Sequence, residues 1–376
     1  MDVVAAARLA EEAGRHIIHM EVGQPGTAAP AGALQALRQG LAEPMGYTVS
    51  LGLPALRAGI AGLYRRWYGI GLNPERVVVT AGSSGAFLLA FTALFDAGDR
   101  VGLGEPGYPS YRQILKALSL VPVGVQARPE NRLQPVPSDF AGLDLQGLIV
   151  ASPGNPSGTM LSRAALGDLI GFAGERGLRF VSDEIYHGLH YGDRAVSALE
   201  ISDEVYVVNS FSKYFSMTGW RVGWMVVPED HIRTVERLAQ NMFICAPHAA
   251  QVVALAALDC VEELEGNRAT YAVNRRLMLE GLPRAGFTRI APPDGAFYIY
   301  ADVGELTGDS VAFAAELLQE AGVAVTPGVD FDPVRGGRWL RFSYARATGD
   351  IVEGLARLEI YMGQRGLRGR ASGGDI

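Results

Sequence analysis

The sequence predicts an α/β protein whose central sheet is mostly parallel and covered by helices on both faces. Apolar segments rich in β-branched residues alternate with amphipathic helical segments such as 162–176 and 229–242. This alternation is typical of a parallel sheet, and the 47 glycines suit its many tight turns. Ligands of such sheets bind beyond the carboxyl ends of the strands. The strands expected in this part of the chain are 76–80, 101–104, 120–126, 147–152, 179–183, 205–211 and 221–227.

A second, smaller α+β unit is predicted from the two ends of the chain. A long helical segment, 248–282, precedes a change of composition at Pro283. We expect a large domain over residues 45–283 and a small domain formed by residues 1–44 and 284–376. The elements expected in the small domain are helices at 4–14, 31–42, 310–320 and 349–363 and strands at 16–22, 287–290, 296–301, 323–326 and 338–344.

Composition excludes several classes of function. The net charge of −7 provides no basic surface, so we predict no nucleic-acid partner. The longest uncharged apolar run, 85–95, is shorter than the roughly 20 residues that a bilayer span needs, so no membrane is predicted. Cys245 and Cys260 are the only cysteines and do not form a C-x-x-C motif, which favours the cytoplasm. No metal is predicted, because the H-x-x-H pairs at 16/19 and 187/190 lack the glutamate of a zinc helix.

The stretch Val205–Trp224 carries most of the functional signal. An apolar strand there ends in Ser210, Ser212 and Lys213, and Arg221 follows eight residues later. A lysine at the end of a core strand is a candidate for an amine with a lowered pKa that does covalent chemistry. Two hydroxyls and a guanidinium are suitable donors for a phosphate monoester. The alternative is an ordinary strand end with solvated polar side chains.

Other predicted strands are also followed by polar groups at their carboxyl ends. The turn 81–85 contains Ser83 and Ser84 and leads into a helix expected at 86–95, whose N-terminus favours an anion. Asn155 lies between two prolines after one strand, and Asp183 ends the next. A carboxylate at the end of an apolar strand needs a partner, and a charged ring nitrogen would provide one. The alternatives are a capped helix start, a plain turn and a structural aspartate.

Together these motifs resemble the class I/II aminotransferases of pyridoxal-phosphate fold type I. They are Asn155-Pro-x-Gly, Asp183-Glu-x-Tyr186, Ser210-x-Ser212-Lys213 and Arg221. Asp183 follows Asn155 by 28 residues, and Lys213 follows Asp183 by 30. The similarity extends over nearly the whole chain, from Glu21 to Tyr344. The resemblance implies a three-layer αβα large domain and pyridoxal 5'-phosphate as the cofactor.

The resemblance also implies a role for each matching residue. Lys213 would bind the cofactor covalently and then carry the proton at the substrate Cα, and Asp183 would keep the pyridine nitrogen protonated. Asn155 and Tyr186 would hydrogen-bond the phenolic oxygen. The further cofactor-binding residues are Ser83, Ser84, Tyr108, Ser210, Ser212 and Arg221, with Tyr47 reaching in from the neighbouring subunit of a homodimer. The substrate would be held by Gly23, Asn155 and Arg341.

The function implied is transfer of an amino group from an L-amino acid to a 2-oxo acid by a ping-pong mechanism. The donor is expected to be neutral, aromatic or of the aspartate/alanine type, because neither Arg112 nor Arg346 can be placed against a side-chain carboxylate. One alternative keeps the fold and cofactor but catalyses elimination, as a C–S β-lyase does. Another is a ligand-sensing module of a regulator. The acidic charge and the lack of a helix-turn-helix pattern before residue 20 disfavour it. Phe243–His248 is a weak candidate for substrate contact.

Overall fold

The computed structural model describes residues 2–41 and 44–366, and the ends of the predicted small domain (residue 1, residues 42–43 and residues 367–376) lie outside them. Thirteen strands are assigned within these ranges. They are β1 (Ile18–His19), β2 (Val77–Thr80), β3 (Arg100–Glu105), β4 (Val121–Gln126), β5 (Gly147–Ala151), β6 (Arg179–Asp183), β7 (Tyr206–Ser210), β8 (Gly223–Val226), β9 (Arg289–Ala291), β10 (Tyr298–Asp302), β11 (Val323–Ala324), β12 (Thr326–Pro327) and β13 (Trp339–Ser343).

Twelve α-helices surround these strands in the described part of the chain. They are α1 (Asp2–Glu12), α2 (Ala31–Gly40), α3 (Pro54–Tyr68), α4 (Gly82–Leu94), α5 (Pro109–Ala117), α6 (Pro137–Phe140), α7 (Arg163–Glu175), α8 (Ile232–Met242), α9 (His248–Ala257), α10 (Val261–Arg284), α11 (Ser310–Glu316) and α12 (Thr348–Gln364). None of the helices in these ranges combines the length and apolar character needed to cross a bilayer.

A seven-stranded sheet forms the centre of the fold, in the order β2-β8-β7-β6-β5-β3-β4. β3 to β7 pair in parallel, whereas β8 runs antiparallel to both of its neighbours, β7 and β2. Successive residues of a strand point to opposite faces, so Val207 and Val208 belong to different hydrophobic clusters. Both faces are therefore buried under helices, and the predicted α/β fold with a mostly parallel sheet is confirmed.

The C-terminal part forms a separate antiparallel sheet in the order β12-β13-β10-β9, and β1 pairs in parallel with β11. α10 and α12 pack together beside it. α10 runs unbroken to Arg284, so the predicted boundary at residue 283 falls in its last turn. α2 lies within the predicted small domain but packs against α9 of the large one. The division into 45–283 and 1–44 with 284–376 stays a prediction.

Several predicted elements differ from the structure, among them the strand expected at 323–326, which is divided between β11 and β12 of different sheets. α4 begins at Gly82 rather than 86, because a φ of +73° at this glycine turns the chain directly into the helix. The helical segment 248–282 is two helices, because Cys260, with a ψ of 42°, lies outside the helical region. The strand expected at 16–22 is only two residues long, since its partner β11 also has two.

Gly223 sits where β8 passes the first turn of α4. A Cβ at this position would lie 2.9 Å from Asn209 O and 3.0 Å from Ser83 N, both backbone atoms that cannot rotate away. We expect Gly223→Ala to lower the free energy of unfolding by about 1–3 kcal/mol, because overpacking forces the backbone apart. Urea denaturation measures this change.

Gly219→Ala is the matched control, because nothing lies within 4 Å of the Cβ position there. It should change stability by less than about 0.5 kcal/mol. Equal stability of the two variants would show that β8 and α4 are not packed as described.

Candidate active site

The predicted site residues converge at the carboxyl ends of β5, β6 and β7. A cavity of about 570 Å³ opens there. Ten of the thirteen predicted residues line it, namely Gly23, Ser83, Ser84, Tyr108, Asn155, Tyr186, Ser212, Lys213, Arg221 and Arg341. Asp183, Ser210 and Tyr47 are not among the lining residues.

Lys213 follows β7 and is partly buried in the cavity wall. Its Nζ donates a hydrogen bond to Gly23 O at 2.6 Å. Burial disfavours the ammonium form and is the main reason why the pKa of Lys213 falls to about 8, with Arg341 and Arg221 lowering it further against the opposing effect of Asp183. A fraction of this amine is therefore unprotonated and nucleophilic near neutral pH. The other lysine, Lys116, is exposed on α5.

One end of the cavity carries groups that are suited to an anion. Ser83 and Ser84 lie in the first turn of α4, where backbone N–H groups are free and the helix dipole is positive. The Arg221 guanidinium lies against the same turn, since a Cβ on Gly82 would come within 2.4 Å of its Nη2. Ser210, although outside the lining, hydrogen-bonds Ser212 at 2.8 Å between the two Oγ atoms and so supports this end from behind.

Asp183 ends β6 and is buried beside the cavity. Its Oδ1 accepts a hydrogen bond from the Ile185 N–H at 3.1 Å, and its Oδ2 accepts one from the Tyr111 hydroxyl. Burial raises the pKa of Asp183 to about 6, while Tyr111, Ile185 and Lys213 oppose the shift. The carboxylate therefore needs these partners to stay charged.

Arg341, on β13 of the C-terminal sheet, also lines the cavity. Its Nη1 donates to Asn155 Oδ1 at 2.9 Å, and its Nη2 donates to Glu21 O at 2.6 Å. Its Nε is shielded from solvent but has no hydrogen-bond partner within the described ranges, where no carboxylate pairs with this guanidinium either. A buried guanidinium with a free donor is suited to a carboxylate ligand.

Two tyrosines form part of the cavity wall near Arg341. The Tyr186 and Tyr298 hydroxyl oxygens lie 2.8 Å apart, and the Arg341 guanidinium carbon lies 4.4 Å from the centroid of the Tyr298 ring. Burial raises the pKa of Tyr186 well above its usual value, so its hydroxyl stays protonated and can donate. A Cβ on Gly23 would collide with the Tyr298 hydroxyl, at 2.2 Å, which explains the glycine.

Tyr47 and the segment Phe243–His248 lie outside the cavity of their own chain. Tyr47 is 82% exposed. His248 Nδ1 lies 3.0 Å from Gly46 O, so the two segments are neighbours. Phe243–His248 does not line the cavity of its own chain, and the substrate contact expected for it stays a prediction.

The sequence did not point to several residues around the cavity. Thr218, Tyr298, Phe331 and the α1 residues Val3 and Val4 line it as well, and Tyr111 contacts Asp183 behind it. An alternating apolar pattern marks β10 as a strand but cannot show that Tyr298 faces a ligand. No local signal relates α1 to the cavity.

His187 has the surroundings of a structural histidine. His187 is fully buried, and its Nε2 lies 2.9 Å from Ser152 O while its Nδ1 lies 2.6 Å from the Tyr68 hydroxyl. Burial lowers the pKa of His187 to about 3, so the ring is neutral. Across residues 2–41 and 44–366 no group of three or more His, Cys, Asp or Glu side chains is arranged to hold a metal ion.

Comparison with known proteins identifies the family. The family model for aminotransferases of class I and II matches residues 15–358. The chain belongs to this family. Among the class I and II aminotransferases, the valine–pyruvate aminotransferase of Mycobacterium tuberculosis is 46% identical over 95% of this chain and 94% of its own.

Solved structures agree with this assignment. A candidate aminotransferase from Silicibacter pomeroyi is 70% identical, with a TM-score of 0.94 and coverage of 97% of this chain and 96% of that one. The aspartate aminotransferase of Thermus thermophilus with maleate is 32% identical, with a TM-score of 0.90 and coverage of 96% and 95%. The protein is therefore an aminotransferase, and the lyase alternative is not favoured.

The family uses pyridoxal 5'-phosphate, and the residues present fit this cofactor. A phosphate needs an anion cradle, which the first turn of α4, Ser212 and Arg221 provide. An aldehyde needs an unprotonated amine, and the lowered pKa of Lys213 supplies one. A basic ring nitrogen needs an acidic partner, and Asp183 is the buried carboxylate next to this lysine.

The lowered pKa of Lys213 can be measured in the apoprotein. After reductive methylation with ¹³C formaldehyde, we expect the Lys213 resonance to titrate with a midpoint near pH 8 rather than near 10.5. Below this pH the amine is charged, and its buried surroundings disfavour the charge. Above this pH the amine is neutral, and the same surroundings favour this form. Proton–carbon NMR against pH gives the midpoint.

Lys116→Arg removes the only other lysine. Because the terminal amine is methylated as well and titrates at about pH 8, the Lys213 resonance is identified by its loss in Lys213→Arg. Arg341→Leu should raise the midpoint, because it removes a neighbouring positive charge, and Asp183→Asn should lower it. A midpoint above pH 10 in the Lys116→Arg protein would contradict the described environment.

Proposed function

We propose that this aminotransferase takes the amino group from a neutral, aliphatic L-amino acid such as valine or alanine and gives it to a 2-oxo acid such as pyruvate, by a ping-pong mechanism. The observation that carries the proposal is the Arg341 guanidinium, which lines the same cavity as Lys213 and whose buried Nε has no hydrogen-bond partner among the described residues. It would provide a carboxylate site separate from the proposed phosphate site at Arg221.

We assign the residue roles as follows. Arg341 binds the α-carboxylate that donor and acceptor share, and Asn155, hydrogen-bonded to Arg341, orients it. When bound, pyridoxal 5'-phosphate supplies the electron sink for the electron pair released at the substrate Cα. Lys213 Nζ accepts the proton from Cα and returns it as the general acid–base. Asp183, as a carboxylate, keeps the ring nitrogen protonated, and the Tyr186 hydroxyl donates to the phenolic oxygen.

The preference for an aliphatic donor rests on the rest of the cavity wall. Val3 and Val4 of α1 and Val22 contribute aliphatic side chains. Among the described lining residues the cations are Lys213, Arg221 and Arg341, each already assigned. Arg112 is held by Glu105 at 2.7 Å, and Arg346 does not line the cavity. The Mycobacterium tuberculosis relative is named for valine and pyruvate, whereas several relatives near 32% identity are named for aspartate.

The donor preference has a direct test in the half-reaction. Holoenzyme mixed with L-valine or L-alanine should lose the visible absorbance of its lysine-bound cofactor at least about tenfold faster than with L-aspartate, because an unpaired carboxylate in this cavity costs more than about 1.4 kcal/mol. Stopped-flow spectroscopy measures these rates at equal donor concentration.

Lys213→Ala is the control and should show no conversion with any donor. Aspartate reacting as fast as valine would refute the aliphatic preference while leaving the reaction type intact. With L-cysteine as the substrate, which has a leaving group on Cβ, release of pyruvate and ammonia without an added 2-oxo acid would point instead to elimination.

We further infer a homodimer in which Tyr47 serves the partner's phosphate site. Tyr47 is exposed and does not line the cavity of its own chain. It lies beside Val49, and the neighbouring segment carries Met242 and Ile244, all exposed apolar side chains. Gln251 Nε2 donates to Thr48 Oγ1 at 3.0 Å and His248 contacts Gly46, so these segments form one surface. An apolar surface of this kind is typical of a protein interface.

Complementation between two inactive chains tests the shared site. A Lys213→Ala chain and a Tyr47→Ala chain each form impaired homodimers, but a mixed dimer has one complete site, with Lys213 from one chain and Tyr47 from the other. At limiting cofactor we expect mixing after partial denaturation to restore activity well above the sum of the separate proteins. Loss of one charge-assisted hydrogen bond should weaken cofactor binding by Tyr47→Ala roughly tenfold to a hundredfold.

The unmixed variants carried through the same denaturation are the control. No gain on mixing would show that Tyr47 does not act across subunits, and a fully active monomer in light scattering would exclude the dimer itself.

A cytoplasmic location stays a prediction. Cys245 and Cys260 are both free, which suits a reducing compartment.

A further inference from the structure

Tyr111 contacts the Asp183 carboxylate from a helix that the sequence motifs do not include. It lies on α5, is 5% exposed, and its hydroxyl donates to Asp183 Oδ2. Its ring is held edge-on between two others, with centroids 5.1 Å from Phe87 and 5.4 Å from Tyr108. The hydroxyl is therefore aimed at Asp183 by packing as well as by the hydrogen bond.

The Tyr111 hydroxyl acts as a donor only. Burial and the adjacent negative charge of Asp183 both raise the pKa of Tyr111 well above its usual value, so the phenol stays protonated. The groups that face Asp183 are then Tyr111, the Ile185 N–H and the charged Lys213, with the buried Glu184 next to it in the chain. Within the described residues, Tyr111 is the only side chain that hydrogen-bonds this carboxylate.

We propose that Tyr111 is a positioning residue that keeps Asp183 ionised, so that the proton shared between Asp183 and the cofactor's ring nitrogen stays on the nitrogen. The inference rests on the role proposed above for Asp183. One proton is shared between two sites, a carboxylate oxygen and the ring nitrogen. A hydrogen bond from Tyr111 stabilises the carboxylate and so favours the proton on the nitrogen, where it helps the ring to accept electrons.

The chemistry of Asp183 and the ring nitrogen explains why Tyr111 is needed as a third group. A carboxylate buried to this degree has its own tendency to take up a proton, shown by its raised pKa. Without the Tyr111 donor, the carboxylate keeps only the Ile185 N–H and becomes more basic. The shared proton then moves from the ring nitrogen to Asp183, and both groups become neutral.

The test reads the proton directly in the holoenzyme. With ¹⁵N-labelled cofactor, the ring-nitrogen chemical shift at fixed pH should move toward the unprotonated value in Tyr111→Phe. Loss of a hydrogen bond to a charged group shifts the ratio of the two forms by roughly tenfold to a hundredfold. We expect kcat to fall by about tenfold or more while the substrate KM changes by less than about threefold, because Tyr111 does not touch the substrate site.

Tyr206→Phe is the matched control. It removes the same hydroxyl from another buried tyrosine, which lies 2.7 Å from His231 Nδ1, away from the cavity. The ring-nitrogen shift should equal that of the unmodified protein. A fluorinated tyrosine placed at 111 keeps the volume and makes the hydroxyl a stronger donor, so it should move the proton toward the nitrogen even if Tyr111→Phe folds poorly.

Asp183→Asn separates the two levels of the proposal. If its ring-nitrogen shift matches that of the unmodified protein, the role proposed for Asp183 fails. If Asp183→Asn moves the shift but Tyr111→Phe and the fluorinated tyrosine do not, Asp183 keeps its role and the inference about Tyr111 is wrong.

Discussion

Two groups of opposite charge, the buried Asp183 and the partly buried Lys213, follow the ends of neighbouring strands, and the rest of the site depends on their burial. β6 and β7 pair in parallel, so the residues at their carboxyl ends lie side by side. Burial favours the neutral form of each, which is why the pKa of the acid is raised and that of the amine is lowered. Each group stabilises the charge of the other. The protonation states that the proposed roles of both groups require are therefore already favoured without the cofactor.

The three cations that line the cavity differ in their surroundings. Arg221 lies against the start of a helix, where backbone N–H groups add to its positive potential. Arg341 is surrounded by neutral acceptors and aromatic rings, with its guanidinium carbon 4.7 Å from the Phe331 ring centroid. Lys213 lines the same cavity, and the charges of both arginines lower its pKa. The proposed phosphate and carboxylate sites therefore use different arginines.

The sequence was sufficient to predict the cavity residues that follow strands, but not those that reach the cavity from other elements. Ser210, Ser212, Lys213 and Arg221 are close along the chain, so their pattern is visible without a structure. Asp183 and Asn155 are visible because parallel strands align their ends. Tyr111 reaches Asp183 across 72 positions from a helix whose pattern predicts only amphipathic packing. Tyr298 belongs to a strand of the other sheet, and Tyr47 is exposed and outside the cavity of its own chain, so neither position could be deduced from local pattern.

The contacts of Arg341 have a consequence for how the protein is made. Its fork is held by Glu21 O, 320 positions earlier in the chain, and by Asn155, 186 positions earlier. Contacts of such separation close late, because the entropy of joining distant segments is lost before the contact forms. During synthesis the large sheet is complete long before β13 leaves the ribosome. The strand ends that precede Lys213 and Arg221 can therefore form early in synthesis, whereas the Arg341 contacts form only after β13 has been made.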